Sequence, residues 1–375
     1  MNHGIQLIDV SDKRYSMGAY GNNVQGIDLA KNVVSLRDSG GQLIQMDLGQ
    51  ADVHIDKTLA SYAAGFRLQD GVADVASPPV IVPNASDKFW TWDKDDTFQL
   101  VQDMASSAGG AVKEISMRLS NTAFQTKQFA LQAFVPTEVQ ANADAPLNPT
   151  LAAMRRIMNA MMLAREVRVA NLLRTSANHA NTITCSATTK WNAGASSNPI
   201  QDLFTLIESS LQPITDIIMS EQVAHDFMQN AAVQKFIAYK NAVPGLQRVT
   251  SDGRTNGTSM EQFSAVLGLP PIHVAAMKYK TGTTTYPYVW GGDVVLLHKP
   301  PTGVPRDGQD IAASYTFRWS GGQVGDATVQ GGFIVRSFFN QFRGPRGGQQ
   351  IVVTMNDAEV STSTQVSGLI ISAHQ

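Results

Sequence analysis

A few places in this 375-residue chain combine residue types and spacing that chemistry uses. Asp93-Lys94-Asp95-Asp96 opens like an oxygen-rich cation loop. A calcium loop, however, needs glycine at its sixth position and a bidentate glutamate at its twelfth, where this chain has Phe98 and Met104. The segment therefore reads as a charged patch on a projecting hairpin, suited to pairing with a neighbouring chain. Arg343-Gly344-Pro345-Arg346-Gly347-Gly348 places two guanidinium groups beside glycine amides, and both bind anions. The same six residues also make an ordinary hairpin turn, which is the preferred reading, and such a turn can still lie at a junction between subunits.

Cys185 is the single cysteine, which rules out an intrachain disulfide and a multi-thiolate metal site and points to a reducing compartment. It sits in a strand-like Thr-Ile-Thr-Cys-Ser context with no Cys or His within three residues, so a buried structural thiol is favoured over a nucleophile. The seven histidines, among them His54, His179, His225, His273 and His298, are scattered singly. Zinc needs three or four converging ligands, so no metal or other cofactor is expected. The dinucleotide, phosphate-loop, nucleophile-elbow and zincin motifs are all missing, which removes the most recognisable enzyme classes.

Composition narrows the field further. Charged residues make up 16% of the chain against a typical ~25%, so much of the polar surface is uncharged and suits close protein contact. With Lys plus Arg at 29 and Asp plus Glu at 31, the net charge is -2 and no basic run appears. Tight binding to duplex DNA through phosphates is not expected. The first twenty residues lack the apolar core of a secretory signal, and no apolar run approaches the ~20 residues that span a bilayer. A soluble chain without a membrane partner is expected.

The elements that would hold these residues follow from periodicity and turn chemistry. Residues 1–65 alternate short apolar patches with Gly, Asn and Asp, as in an extended arm with short strands. Three prolines between residues 71 and 84 predict an extended connector. Residues 89–93 and 112–119 alternate as strands around a glycine-rich turn, giving a two-stranded projection that must lean on something to be stable.

Asn148-Pro149 supplies an N-cap and a first-turn proline for a helix over 149–177, some 38 Å long at ~1.5 Å per residue. Its apolar stripe runs through Leu151, Met154, Ile157, Met158, Met161 and Met162 to Val167, Leu172 and Leu173. Arg155, Arg156, Asn159, Arg165, Glu166 and Arg168 are expected mostly on the opposite, polar face.

A compact α/β region follows. Asn198-Pro199 caps a helix, Ser220 caps another, and residues 259–262 form a capping box. Strands are expected at 214–219, 272–275, 288–290 and 294–298. The last quarter is β-rich: Tyr315, Phe317 and Trp319 alternate with polar residues, a long hairpin spans 333–355, and a final strand covers 366–372.

The order of these elements, an arm, a projecting loop, one long helix, a compact α/β region and late strands, resembles the major capsid proteins of tailed double-stranded DNA bacteriophages, the Hong Kong 97-type capsid fold. The residues that carry the likeness are 124–136, 164–173, Ile217-Ile218-Met219-Ser220 and 289–298 with Trp290-Gly291-Gly292-Asp293. The resemblance covers essentially the whole chain and implies an α+β fold. Its divisions would be an N-terminal arm (1–65), an extended loop and connector (66–130), a peripheral domain (131–198 and 325–356) with a spine helix (149–177), and an axial domain (199–324 and 357–375).

It further implies a structural protein and not an enzyme. Copies would assemble as pentamers and hexamers into an icosahedral shell around phage double-stranded DNA, formed in the host bacterial cytoplasm and ending in the virion. Scaffolding, portal and cement proteins are the other implied partners; since Met1 is not followed by a charged helical leader, either a separate scaffolding protein or none is expected. Trp90, Trp92, Asp93, Lys94, Asp95, Asp96, Lys113, Arg343 and Arg346 are the candidate contacts between subunits. Two alternatives remain at this point: an encapsulin-type nanocompartment shell, which shares the fold, and a soluble hydrolase with an unrecognised site.

Overall fold

In the computed structural model the described residues are 71–92, 100, 119–143, 148–193, 196–242, 264–265, 267–300, 311–319 and 333–374. Strand backbone is also described at 14–15, 24–28, 33–37 and 43–47. Side chains at 90–92, 119–120 and 238–242 lie outside the description, as does the capping box expected at 259–262. The chain forms two units. One comprises Met1–Ala60, Gln132–Met154 and Val335–Val353; the other comprises Ser61–Leu131, Arg155–Ile334 and Thr354–Gln375.

In the first unit the short strands expected of the arm pair with one another. Arg14–Tyr15, Val24–Asp28, Val33–Arg37 and Leu43–Asp47 form an antiparallel meander in chain order. The expected late hairpin is also present: Ile334–Asn340 pairs with the strand Gly348–Ser361, beside which Lys127–Pro136 also runs.

Gly348 is the point where backbone meets backbone. A Cβ there would lie 2.4 Å from the Val135 carbonyl oxygen and 2.9 Å from the Pro136 Cα. The Thr137 amide and hydroxyl both donate to the adjacent Gly347 carbonyl, at 3.2 and 3.1 Å.

In the second unit the compact region is a five-stranded mixed sheet. Its order is Ile272–Ala275, Asp216–Ser220, Val294–Leu297, Ser367–Ile371 and Asn181–Thr184, with parallel pairings at the two edges and antiparallel pairings inside. Asp216–Ser220 is buried at every position, which is what a strand covered on both faces requires. One face packs Leu203, Leu206, Val223 and Phe227 from the helices Pro199–Ser209 and Glu221–Gln229; the other packs Val169, Ala170 and Leu173 of the long helix with Trp290. A second sheet joins Ser314–Trp319 to Pro79–Val82 in parallel and to Gly348–Ser361 antiparallel. Ser86–Trp92 pairs antiparallel with Leu119–Gln125, so the first strand of the expected projection has a partner, while the return strand expected over 112–119 lies, apart from Leu119, outside the described residues.

Several local expectations change. The long helix begins at Pro149 as expected, with the Leu151 amide donating 3.1 Å to Asn148 Oδ1, but it ends at Leu173 and not at 177. Three side chains just beyond satisfy its last carbonyls: Thr175 donates to Asn171 O, Asn178 to Leu172 O and His179 Nε2 to Leu173 O. Ser220 does not cap the following helix, because its hydroxyl donates 2.6 Å to the Gly291 carbonyl. Tyr288 to Trp290 is a turn with one isolated bridge, not a strand. Ser314–Trp319 is not half-exposed either: packed between neighbours, its first five residues are all buried.

Gly348→Ala is expected to lower stability by more than about 2 kcal/mol, since the clash is with backbone that cannot rotate away. Urea unfolding measures it, and a change below roughly 0.5 kcal/mol would show the approach to Val135 to be looser than described.

Candidate functional site

Cys185 and three of the histidines singled out in the sequence, His179, His273 and His298, are tied into the structure or shielded by it. Burial, aided by the negative charge of Asp202, pushes the Cys185 thiol up to about 11, so it is protonated and unreactive at neutral pH. Burial also lowers the pKa of His179, partly offset by its bond to the Leu173 carbonyl; its other ring nitrogen lies 2.8 Å from Ser367 Oγ. His273 donates to Asp216 and His298 to the Pro213 carbonyl. Among the described residues no group of three or more His, Cys, Asp or Glu side chains is placed to hold a metal.

The residues that sequence reasoning placed wrongly are Arg165, Glu166 and Arg168. Arg155, Arg156 and Asn159 do lie on an exposed face, but Arg165 and Glu166 are 1% and 2% exposed. The C-terminal half of the helix is covered on more than one side, so its charged residues must find partners inside. Arg165 Nη1 lies 2.6 Å from Asp74 Oδ1, and its Nε lies 3.7 Å from Asp357 Oδ2. Glu166 accepts from the Val72 and Ala73 amides at 3.1 and 2.9 Å and from Trp290 Nε1 at 2.8 Å.

Burial raises the Glu166 pKa, and those three donors with Arg165 offset part of the rise. Arg168 reaches Glu359 at 2.8 Å and stacks on the Phe129 ring at 3.8 Å. Arg318 holds Asp357 in a fork at 2.8 and 2.9 Å; burial opposes its charge, but those bonds outweigh burial and raise its pKa.

The sequence held a signal for this. Arg165 follows Met158 and Met161 and precedes Val169 at helical spacing, so it sits on the apolar stripe and not across from it.

The same joint explains Trp290-Gly291-Gly292-Asp293. Trp290 donates to Glu166, and Gly291, at φ +56, lets the Arg174 guanidinium pass within 2.5 Å of where a Cβ would stand. Asp293 then accepts from Arg174 at 2.7 Å and from the Ser372 amide at 2.8 Å.

The candidate contact residues divide differently. Arg343 and Arg346 lie in the exposed turn after Ile334–Asn340, with the Arg343 guanidinium 4.7 Å from the Phe134 ring centroid. Phe342, missed by the sequence reading, is 89% exposed at the same turn. Trp90 and Trp92 have backbone in the projecting pair, opposite Asn121 and Leu119, while their side chains are outside the description. Asp93, Lys94, Asp95, Asp96 and Lys113 lie outside the described residues altogether.

No protein-family model matches the chain. A curated relative, the major capsid protein of Pseudomonas phage JBD67, is 26% identical over 164 residues, which is 43% of this chain and 52% of the relative. The chain thus spans about half the length of the curated relative it matches. Among solved structures, a phage-related protein from Bordetella bronchiseptica RB50 superposes with a TM-score of 0.63 at 17% identity, over 86% of this chain and 99% of the other. The capsid structure of cyanophage P-SCSP1u gives 0.52 at 10% identity, over 83% and 92%. The chain therefore has the α+β fold of these phage structures, as the order of its elements implied.

Asp216 yields a pH prediction. Burial alone would raise its pKa, but donors from His273 (2.7 Å), Lys299 (2.8 Å) and Thr215 (2.7 Å) bring it down to about 2. A folded pKa below the unfolded 3.8 adds stability that is complete above about pH 4 and is lost as pH falls toward 2. Asp216→Asn should cost on the order of 2 kcal/mol at neutral pH and flatten this acid limb of the stability curve. Urea midpoints between pH 2 and 7 provide the check; an unchanged acid limb would contradict it.

Proposed function

We propose that this chain is the major capsid protein of a tailed phage, a structural subunit whose copies close into an icosahedral shell around double-stranded DNA. The observation that carries the reading is the shared fold over more than four-fifths of the chain with a cyanophage capsid structure, taken together with the partial likeness to a phage major capsid protein. The interior chemistry is consistent with it: among the described residues the ionisable groups of the buried joint hold elements together. A net charge of -2 suits a container that holds a genome mechanically without binding its phosphates.

In this reading residues 131–198 and 325–356 form a peripheral domain and residues 199–324 with 357–375 an axial domain, arranged as hexamers and pentamers. Residues 1–65 and 66–130 reach onto neighbours, the latter anchored through the strand Pro79–Val82, and the parts with little core of their own repay their ordering entropy only through contact. Trp90, Trp92, Asp93, Lys94, Asp95, Asp96 and Lys113 serve these contacts from the projecting loop. Arg343 and Arg346 serve them from the exposed turn, where Phe342 adds an apolar surface of the kind that marks an interface. Assembly takes place in the host bacterial cytoplasm, with scaffolding, portal and cement proteins as partners.

Expression of the full chain, with a scaffolding partner supplied where one is required, tests this by light scattering and negative-stain microscopy. Shells or capsomers are expected, and Arg343→Asp with Arg346→Asp should reduce their yield about tenfold while leaving the subunit's unfolding midpoint unchanged. A stable small species that forms neither contradicts the proposal. Shells filled with a cargo protein in place of nucleic acid would move the assignment to a nanocompartment.

A further inference from the structure

Within the second unit the segment from Val72 to Val82 is fastened in an uneven way. Downstream, Pro79–Val82 is a strand fully paired with Ser314–Trp319. Upstream, Val72 to Ser77 forms only the single helical turn Ala73–Ala76, and its buried side chains, Val72, Ala73, Ala76 and Ser77, are small. Little apolar area holds this strap down. What holds it is polar: the Glu166 carboxylate takes the Val72 and Ala73 amides, Arg165 takes Asp74, the Ser314 hydroxyl donates 2.9 Å to the Ala76 carbonyl, and at the downstream end the Thr316 hydroxyl lies 2.9 Å from Ser77 Oγ and donates 3.2 Å to the Ser77 carbonyl.

One end of this fastening is incomplete. Arg165 Nε and Nη2 are buried and make no hydrogen bond among the described residues. A buried donor without an acceptor is costly, and any opening that admits water to Arg165 removes that cost. Glu166 behaves alike: on opening it keeps Trp290 and exchanges two amides for water, and its charge is no longer confined to a dry site.

We infer that Arg165 and Glu166 form a clasp on the long helix that closes over the strap Val72–Ser77, making this strap a locally openable element of the second unit. Lifting it breaks few apolar contacts and replaces polar ones by water, so it opens without unfolding the sheets on either side. The paired strand Pro79–Val82 remains as the fixed end.

Hydrogen-exchange mass spectrometry on the full chain tests the clasp. The amides of Val75, Ala76 and Ser77, bonded to Val72 O, Val72 O and Ala73 O, should exchange about a hundredfold faster than those of Ser314–Trp319. Glu166→Gln leaves one carbonyl oxygen where two oxygens served three donors, and turns an N–H2 group toward an amide. It should speed strap exchange roughly tenfold further, with Asp216–Ser220 and Val294–Leu297 unchanged.

Asp74→Asn, at a half-buried position that tolerates the change, should speed the strap roughly threefold by weakening the Arg165 contact, and it carries the test should Glu166→Gln fail to fold. A strap that exchanges as slowly as Ser314–Trp319, or variants that speed strap and sheets equally, would overturn the inference.

Discussion

The second unit depends on keeping charge inside protein. Asp357 has a fully buried side chain and faces Arg318 and Arg165, and the long helix adds Glu166 beside Arg165 with Arg168 a turn further on. Buried charges of this kind cost more to desolvate than their mutual attraction returns unless each is met by well-placed partners. Those partners come from sequence positions far apart: Asp74 and the Val72 and Ala73 amides, Trp290, Arg318, and Asp357 with Glu359. Once the helix commits Arg165 and Glu166 to the interior, the strap before Pro79, the Trp290 turn and the strand Gly348–Ser361 have little freedom in where they lie.

This constraint explains why the phrases that carried the family resemblance have no catalytic logic. Trp290-Gly291-Gly292-Asp293 is a seat: an indole donor for Glu166, a gap for the Arg174 guanidinium, and a carboxylate that ties that guanidinium to the Ser372 amide. The His179 ring closes the end of the helix and ties it to Ser367 of the compact sheet. Among the described residues these ionisable groups face one another and tie distant parts of the chain together.

Local signals were legible in the sequence where they depended on neighbours in the chain. Asn148 and Asn198 cap their helices with the side-chain bonds that the Asn-Pro pairs implied, at 3.1 and 3.4 Å, and the strand Ile272–Ala275 has the bounds its pattern gave. The readings failed where tertiary contact decided. Ser220 has a capping residue's chemistry but spends its hydroxyl on Gly291, 71 positions away. Ser314–Trp319 alternates in type but is covered by strands on both edges and by side chains on both faces, so the alternation predicts nothing about exposure. Arg165 and Glu166 were read as solvent-facing because charge is usually exposed, although their spacing placed Arg165 on the apolar stripe. The partners that make their burial tolerable lie about 90 to 190 residues away, and no local pattern reveals them.

The account stands or falls on whether the buried charges act as one network. A double-mutant cycle on Arg318→Met and Asp357→Leu, read by urea unfolding of the full chain, measures this most directly. Each single change strands a buried partner and should cost roughly 3–5 kcal/mol, whereas the double change removes both charges and should cost at least about 2 kcal/mol less than the sum. Additivity to within about 0.5 kcal/mol would mean that Arg318 and Asp357 do not act through each other, and would contradict the view that paired internal charge organises this unit.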